Sequence, residues 1–270
     1  MGLEPFEQFI YVEPEGPYTS WLETTSEKHD FEAWLARHLH LFEASRITGR
    51  PLSVLDIGCS WGSTSFRVIR VLKAAGLEIE YTGVDPYQPQ LDKFRQLADK
   101  SGLTGVRFVQ GNAEEYVPDH EHDLVIASHM LYYTSSMSRS LANLLAAGRE
   151  LVVVHHGKRG INTVHEAFGP HVKAGAHVIS LDDDVAKCFA SLDLSGRVLH
   201  RHNFSSTVDI SGCVDPDSRQ GCNLISFFLE RGFDSIDPEV VAALRQFLHD
   251  TYAPNMIMTH DVGIFSVTGS

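Results

Sequence analysis

The chain has 270 residues, 43% hydrophobic and 10% aromatic, with 22 Lys and Arg against 35 Asp and Glu and a formal net charge of -13 at pH 7. That length and composition predict one large globular α/β domain, or one domain with a modest insertion. The acidic excess repels phosphate backbones, the basic residues form no stripe, and no segment reaches the apolar length that spans a bilayer, so nucleic acid and membrane are excluded as partners.

The amino terminus carries no basic segment followed by an apolar one, so no secretory signal is expected, and Phe6 stands where a myristoylation site needs Ser or Thr. Cys59, Cys188, Cys213 and Cys222 lie far apart, which suits reduced thiols in the cytoplasm rather than a disulfide framework or a zinc site. His38-x-His40 and His120-x-His122 lack supporting ligands at a metal-binding spacing; solvated or capping histidines and no metal are expected.

The first two dozen residues, with Pro5, Pro14, Gly16 and Pro17 among Phe6, Phe9, Tyr11, Tyr18 and Trp21, predict an irregular aromatic arm. Ser26 reads as an N-cap, followed by Phe31, Trp34, Leu35, His38, Leu39 and Phe42 at helical spacing. Leu52 to Ile57 predict a buried strand, Ser63 to Ala75 a helix, Ile79 to Val84 a second strand and Leu91 to Asp99 a helix. Val106 to Gln110 and Asp123 to Ala127 continue as strands, Ser135 to Ala147 as a helix and Glu150 to Val154 as a fifth strand. This alternation predicts a Rossmann-like, doubly wound and mostly parallel α/β sheet.

Asp182, Asp183 and Asp184 precede an apolar helical run, where acids complement the helix dipole. Beyond Val198, Ser205 to Cys213 predict an extended segment, Leu224 to Leu229 and Val240 to Leu248 helices, and Met256 to Val267 a final strand or hairpin. The expected organisation is an arm and helix over residues 1–50 that form a substrate lid, a cofactor core over 51–200, and a substrate-binding extension with the last sheet strands over 201–270.

Asp56-x-Gly58-x-Ser60-x-Gly62 turns from the first strand into its helix, and Asp85 follows the second strand. Glycines there let the backbone turn sharply and approach a ligand closely. An acid at the carboxyl end of a strand in an open α/β sheet lies where such sheets bind ligands and can accept hydrogen bonds from both ribose hydroxyls. The loop is similar to the Asp-x-Gly-x-Gly-x-Gly of class I S-adenosylmethionine methyltransferases, with serine at the middle glycine, and lacks the third glycine of the dinucleotide fingerprint. A nicotinamide oxidoreductase is the first rival reading; a cofactor binder without catalysis is the second.

The chain further resembles histamine N-methyltransferase and its relatives in Ser26-Glu27, Val54 to Gly62, Asp85-Pro86 with Gln90, Val106 to Phe108, His129 to Tyr133 and Ser206 to Ser211, in the same order. The resemblance implies S-adenosylmethionine as methyl donor, with S-adenosylhomocysteine as its product. Asp56, Gly58, Ser60 and Gly62 would form the cofactor loop, Asp85 would hold the ribose where that family has Glu, and Gln90 would lie beside the adenine. Asn112 and Ala113 would meet the adenine edge, and Ser128 and His129 would border the sulfonium. Glu27 matches the acid that binds the substrate amine and imidazole, and Tyr132 and Tyr133 match residues that wall the substrate pocket. His129 replaces a Gln and Asp261 an Asn of the histamine enzyme, which puts histamine itself in question.

Methyl transfer from a sulfonium is an in-line displacement, so positioning of donor and acceptor is the main task. Aromatic faces suit a cationic donor, and Tyr18, Trp21, Tyr132 and Tyr133 are the candidates. A nitrogen acceptor must be neutral when it attacks, and His129 is the candidate base, with Tyr132 and Tyr133 beside it. Glu27 and Asp261 would anchor an ammonium. The same set serves methylation of an indole at C3, with His129 or a tyrosine removing the ring N–H proton, as in enzymes that form pyrroloindoline alkaloids. The expected substrate is therefore a small aromatic amine, imidazole or indole compound of specialised metabolism.

Overall fold

The computed structural model describes residues 15–42, 49–175 and 178–269. In chain order the elements are α1 (Pro17–Thr24), α2 (Glu27–Arg37), β1 (Leu52–Ile57), α3 (Ser65–Ala74), β2 (Ile79–Asp85), α4 (Gln88–Lys100), β3 (Val106–Gln110), β4 (His122–Ser128), α5 (Met137–Ala147), β5 (Gly148–His156) and α6 (Ile161–Phe168). There follow α7 (Asp182–Ala190), β6 (Val198–Asp209), α8 (Ser211–Val214), α9 (Arg219–Leu229), α10 (Pro238–Tyr252) and β7 (Ile257–Thr268). The strands form a seven-stranded sheet in the order β3-β2-β1-β4-β5-β7-β6, with β1 to β5 parallel and β7 antiparallel. This is the doubly wound α/β class expected from the alternation of strands and helices.

The chain divides into two compact units, one comprising His29–His155, Asp182–Asn203 and Gly263–Ser270, the other Met1–Lys28, His156–Leu181 and Phe204–Val262. In the first unit every residue of β1 is buried, as in a parallel strand covered on both faces. Leu55, Val125, Ala127, Leu151 and Val153 pack with Leu141 and Leu144 of α5, Phe189 of α7 and Phe265 of β7. Full burial of each large side chain contributes about 1.5–3 kcal/mol.

Register is pinned at the amino ends of β1 and β4. The fully buried Asp123 accepts bonds from Arg50 Nη1 at 2.7 Å, Arg50 Nη2 at 2.6 Å and the Ser53 amide at 3.0 Å. Beside it, Ser53 Oγ lies 3.0 Å from His120 Nε2 and 2.8 Å from His122 Nδ1, and His120 Nδ1 pairs with Asp119 at 2.8 Å. His122 is therefore not a solvated histidine: it is fully buried, and burial with the neighbouring His120 pulls its pKa down to about 4.

Helix starts follow local chemistry. Ser136 caps α5 by accepting from the Arg139 amide, and Asp237 caps α10 by accepting from the Glu239 amide with Pro238 in the first turn. The three acids of α7 occupy its first turn, where Arg201 Nη2 holds Asp182 at 2.6 Å and Asp183 at 2.7 Å.

Several expectations are corrected. The arm is not irregular throughout, because Pro17 to Thr24 form α1: proline at the first position of a helix costs no hydrogen bond, and Trp21 is buried in the second unit's core. Pro5, Phe6, Phe9, Tyr11 and Pro14 lie outside the described residues. The helix after Ser26 ends at Arg37, where His38 Nδ1 bonds the Trp34 carbonyl at 2.8 Å and stacks on its indole. The segment expected to be extended to Cys213 leaves the sheet at Asp209 and turns into α8, and α6 begins after the left-handed Gly160 without having been anticipated.

The second unit has its own core, in which Trp21, Ile161, Val164, Val208, Leu224, Phe228 and Leu244 are buried together. Ser26 exchanges bonds with Thr207, its amide donating to the Thr207 carbonyl and its Oγ accepting from the Thr207 amide, each at 2.9 Å.

Because Asp123 has no exposure of its own, loss of its guanidinium partner leaves a buried carboxylate poorly compensated. Arg50→Met is expected to destabilise the protein, read as a lower urea midpoint at unchanged m-value; an unchanged midpoint would contradict the clamp.

Candidate functional site

The chain leaves β1 through three left-handed residues: Gly58 at φ +77, Ser60 at +51 and Gly62 at +88. The Gly58 and Cys59 amides donate to the Val84 carbonyl at 2.8 and 3.1 Å, which ties the loop to the end of β2. Close ligand approach is not what first demands the glycines. A β-carbon on Gly58 would lie 2.5 Å from Met130 Cβ, and one on Gly62 would lie 2.6 Å from the Phe94 ring. Side chains of the protein itself fill those spaces. Ser60 takes the left-handed conformation that a glycine would adopt freely, at a cost of about 1–2 kcal/mol, offset by its amide bond to Asp85.

Asp85 ends β2 nearly fully buried, its Oδ2 accepting from the Ser60 amide at 2.8 Å and its Oδ1 from the Tyr87 amide at 3.0 Å. Burial raises its pKa to about 6, against the lowering effect of the two amides and with a further push from the charge of Asp56. Two carboxylate oxygens offer about four acceptor positions, and the backbone takes one on each. The remainder suit a ribose diol.

Asp56 has a different use from the one expected of it. Its Oδ2 accepts from Tyr81 Oη at 2.6 Å and Ser65 Oγ at 2.5 Å, pinning β1, β2 and α3 together beneath the loop. Gln90 is buried in the first turn of α4. Asn112 shapes the turn after β3, its Oδ1 accepting from the Glu114 and Glu115 amides at 3.0 Å, and Ala113 is buried in the first unit's core. Ser128 ends β4.

His129 follows at φ +53, its amide bonded to the Val154 carbonyl at 2.9 Å and its Nδ1 3.1 Å from Tyr132 Oη. Met130, the next residue, is the one that fills the Gly58 space, so this corner lies against the glycine loop. Tyr132 stacks on the fully buried His155 with ring centroids 4.1 Å apart, and Tyr133 is 51% exposed. Sequence reasoning missed His155; its signal is a histidine closing the apolar run Leu151 to Val154.

In the second unit the buried Glu27 pairs through Oε1 with Lys28 Nζ at 2.9 Å, while Oε2 lies 3.2 Å from His260 Nε2 and 3.7 Å from His156 Nε2. Lys28, His156 and His260 were not anticipated. Trp21 stacks on Phe227 at 5.0 Å and meets His260 edge-on at 5.1 Å, and Tyr18 stacks on Phe227 at 6.2 Å. Asp261 sits in a two-point ion pair with Arg159, both bonds 2.8 Å, and also accepts from Ser205 Oγ at 2.9 Å. Burial works to raise its pKa, but Arg159 and Ser205 prevail and hold it below the usual carboxylate range. Those partners leave Asp261 little negative charge to offer a substrate ammonium.

Residues 54–149 match the family model described as a methyltransferase domain. A search of curated protein sequences finds no match. Among solved structures, the chain is similar to the magnesium protoporphyrin IX methyltransferase of Synechocystis with S-adenosylhomocysteine bound, at 15% identity and a TM-score of 0.52 over 100% of this chain and 90% of that one. It is similar to the plantazolicin methyltransferase BpumL, also with S-adenosylhomocysteine, at 13% identity and a TM-score of 0.55 over 98% and 94% of the two chains. It is also similar to the cyclase SpnF at 18% identity and a TM-score of 0.50 over 87% and 81%. These likenesses concern the fold, and SpnF shows that one fold serves more than one reaction.

The protein is an S-adenosylmethionine-dependent methyltransferase, and the loop, Asp85 and His129 fall within its matched domain. The residues present fit that cofactor: a loop held against the end of β2, and a buried acid with acceptor capacity left for two hydroxyls.

Two outcomes follow. If the ionised Asp85 accepts the ribose hydroxyls, S-adenosylhomocysteine affinity is level above about pH 7 and falls about tenfold per pH unit below a pKa of about 6; calorimetry on Asp85→Asn should show weaker and flatter binding. Gly58→Ala is expected to cost about 2 kcal/mol or more through the Met130 contact and the left-handed backbone, read by thermal unfolding.

Proposed function

We infer that the methyl acceptor is a small aromatic amine, imidazole or indole compound, with nitrogen as the favoured acceptor atom and His129 as the base. The observation that carries this reading is the His129 corner: an imidazole 3.1 Å from the Tyr132 hydroxyl, on a residue whose backbone amide is fixed by the Val154 carbonyl, directly beside the residue that packs on the cofactor loop. The resemblance to histamine N-methyltransferase in Glu27 and in His129 to Tyr133 supports the same acceptor class.

S-adenosylmethionine supplies an electrophilic methyl group when bound. Gly58, Ser60 and Gly62 would shape its seat, Asp85 would hold the ribose, and Gln90, Asn112, Ala113 and Ser128 would border the rest. An amine or imidazole attacks through a neutral lone pair, and the proton it sheds passes to a nearby base. His129 is placed for that: if Nδ1–H donates to the Tyr132 hydroxyl oxygen, Nε2 keeps the lone pair that takes the transferred proton, and the tautomer follows from this bond. The face of Tyr132, backed by His155, offers a π-surface to a cationic or aromatic group. Tyr133 is a further acceptor-binding residue in this reading.

The test is transfer of a labelled methyl group to a panel of amines, imidazoles and indoles. His129→Ala should lower turnover about 100-fold or more while changing S-adenosylhomocysteine affinity little. Equal turnover by variant and wild type removes His129 as the base; absence of transfer to every member of the panel removes the acceptor class.

A further inference from the structure

Glu27, His156 and His260 bring one carboxylate and two imidazoles together in the second unit, with one ligand atom from each within 4.8 Å of the others. The two imidazole centroids are 4.7 Å apart, their planes crossed at 76°. His260 is fully buried, and neither ring nitrogen makes a hydrogen bond among the described residues. Yet its Nε2 lies only 3.2 Å from Glu27 Oε2. The distance suits a hydrogen bond and the direction does not.

That combination is what ligands of a shared cation show. With bonds of about 2.0–2.2 Å to zinc and tetrahedral angles, neighbouring ligand atoms lie about 3.3 Å apart, and their lone pairs aim at the metal instead of at each other. The observed separations of 3.2 and 3.7 Å from Glu27 Oε2 to the two Nε2 atoms bracket that value. We propose that Glu27, His156 and His260 bind a zinc(II) ion, with the fourth position open to water or a neutral nitrogen or oxygen donor.

The surroundings hold the ligands in place. A β-carbon on Gly160 would come within 2.2 Å of His260 Nδ1, so the glycine, at φ +98, lets the ring seat with Nδ1 against the backbone. Trp21 covers the His260 ring edge-on, and Lys28 Nζ takes the other Glu27 oxygen at 2.9 Å, in the manner of the outer partners that orient metal-bound carboxylates. Asp119, His120 and His122 also converge, but Ser53 and Asp119 already occupy both nitrogens of the exposed His120, and Ser53 occupies Nδ1 of His122. They serve as the control.

The experiment uses the full chain stripped with a chelator, without methyl donor or acceptor. Calorimetric titration with zinc(II) is expected to show one equivalent bound, weakened at least tenfold in His260→Gln and Glu27→Gln and unchanged in His120→Gln. Cobalt(II) added to wild type should give the intense visible absorption of a four-coordinate site, a readout that needs no variant to fold. Absence of both stoichiometric zinc binding and the cobalt spectrum, or zinc binding that survives both substitutions, overturns the site. Either result leaves S-adenosylhomocysteine binding and methyl transfer to be measured separately, so failure here is distinct from failure of the proposed function.

Discussion

The contact between Gly58 and Met130 is the constraint on which the rest of the first unit depends. It brings the turn after β1 against the turn after β4, and it does so with no room for a single added carbon. Phe94 of α4 closes on Gly62 in the same way. The loop is therefore set from beneath by packing, at interior density, before any ligand contributes. Because the Gly58 and Cys59 amides share the Val84 carbonyl, the position of Asp85 one residue later is coupled to the same packing.

Three buried carboxylates of this unit show how partners assign roles. Asp123 receives a guanidinium and an amide and serves as a clamp between strands. Asp56 receives two hydroxyls and serves as a pin below the loop. Asp85 receives two backbone amides, and burial then lifts it to about 6. In the free protein that sign makes the group a liability as pH rises from about 4 to about 6, since ionising it costs more in the folded than in the unfolded chain. A hydroxyl-bearing ligand that bonded the ionised form would offset the cost, and the proposed ribose contact is of that kind.

The second unit repeats the lesson with Glu27 and Asp261. Both are acids close to imidazole or guanidinium groups, but Arg159 meets Asp261 in a matched two-point geometry, whereas the His260 imidazole stands 3.2 Å from Glu27 without bonding direction. The first arrangement is closed. The second calls for a further positive centre, and its donor types are those that borderline divalent metals accept.

Much of the first unit was legible in the residues themselves. Short buried runs such as Leu52 to Ile57 and helical spacing such as Val68, Ile69 and Leu72 are local signals, and they placed Gly58, Gly62 and Asp85 at the carboxyl ends of β1 and β2, the edge where open α/β sheets bind ligands. Proline at 17 misled, since the same residue breaks a helix interior and suits a helix start, and only the burial of Trp21 decides which. What the tertiary structure alone decided are contacts between residues far apart in the chain: Met130 in the space beside Gly58, Tyr81 on Asp56, Arg159 on Asp261, and His156 with His260 on Glu27. Periodicity reports which face of an element is buried; which groups meet there, and hence which acid is a pin, a cofactor grip or a candidate ligand, depends on long-range packing that no local pattern records.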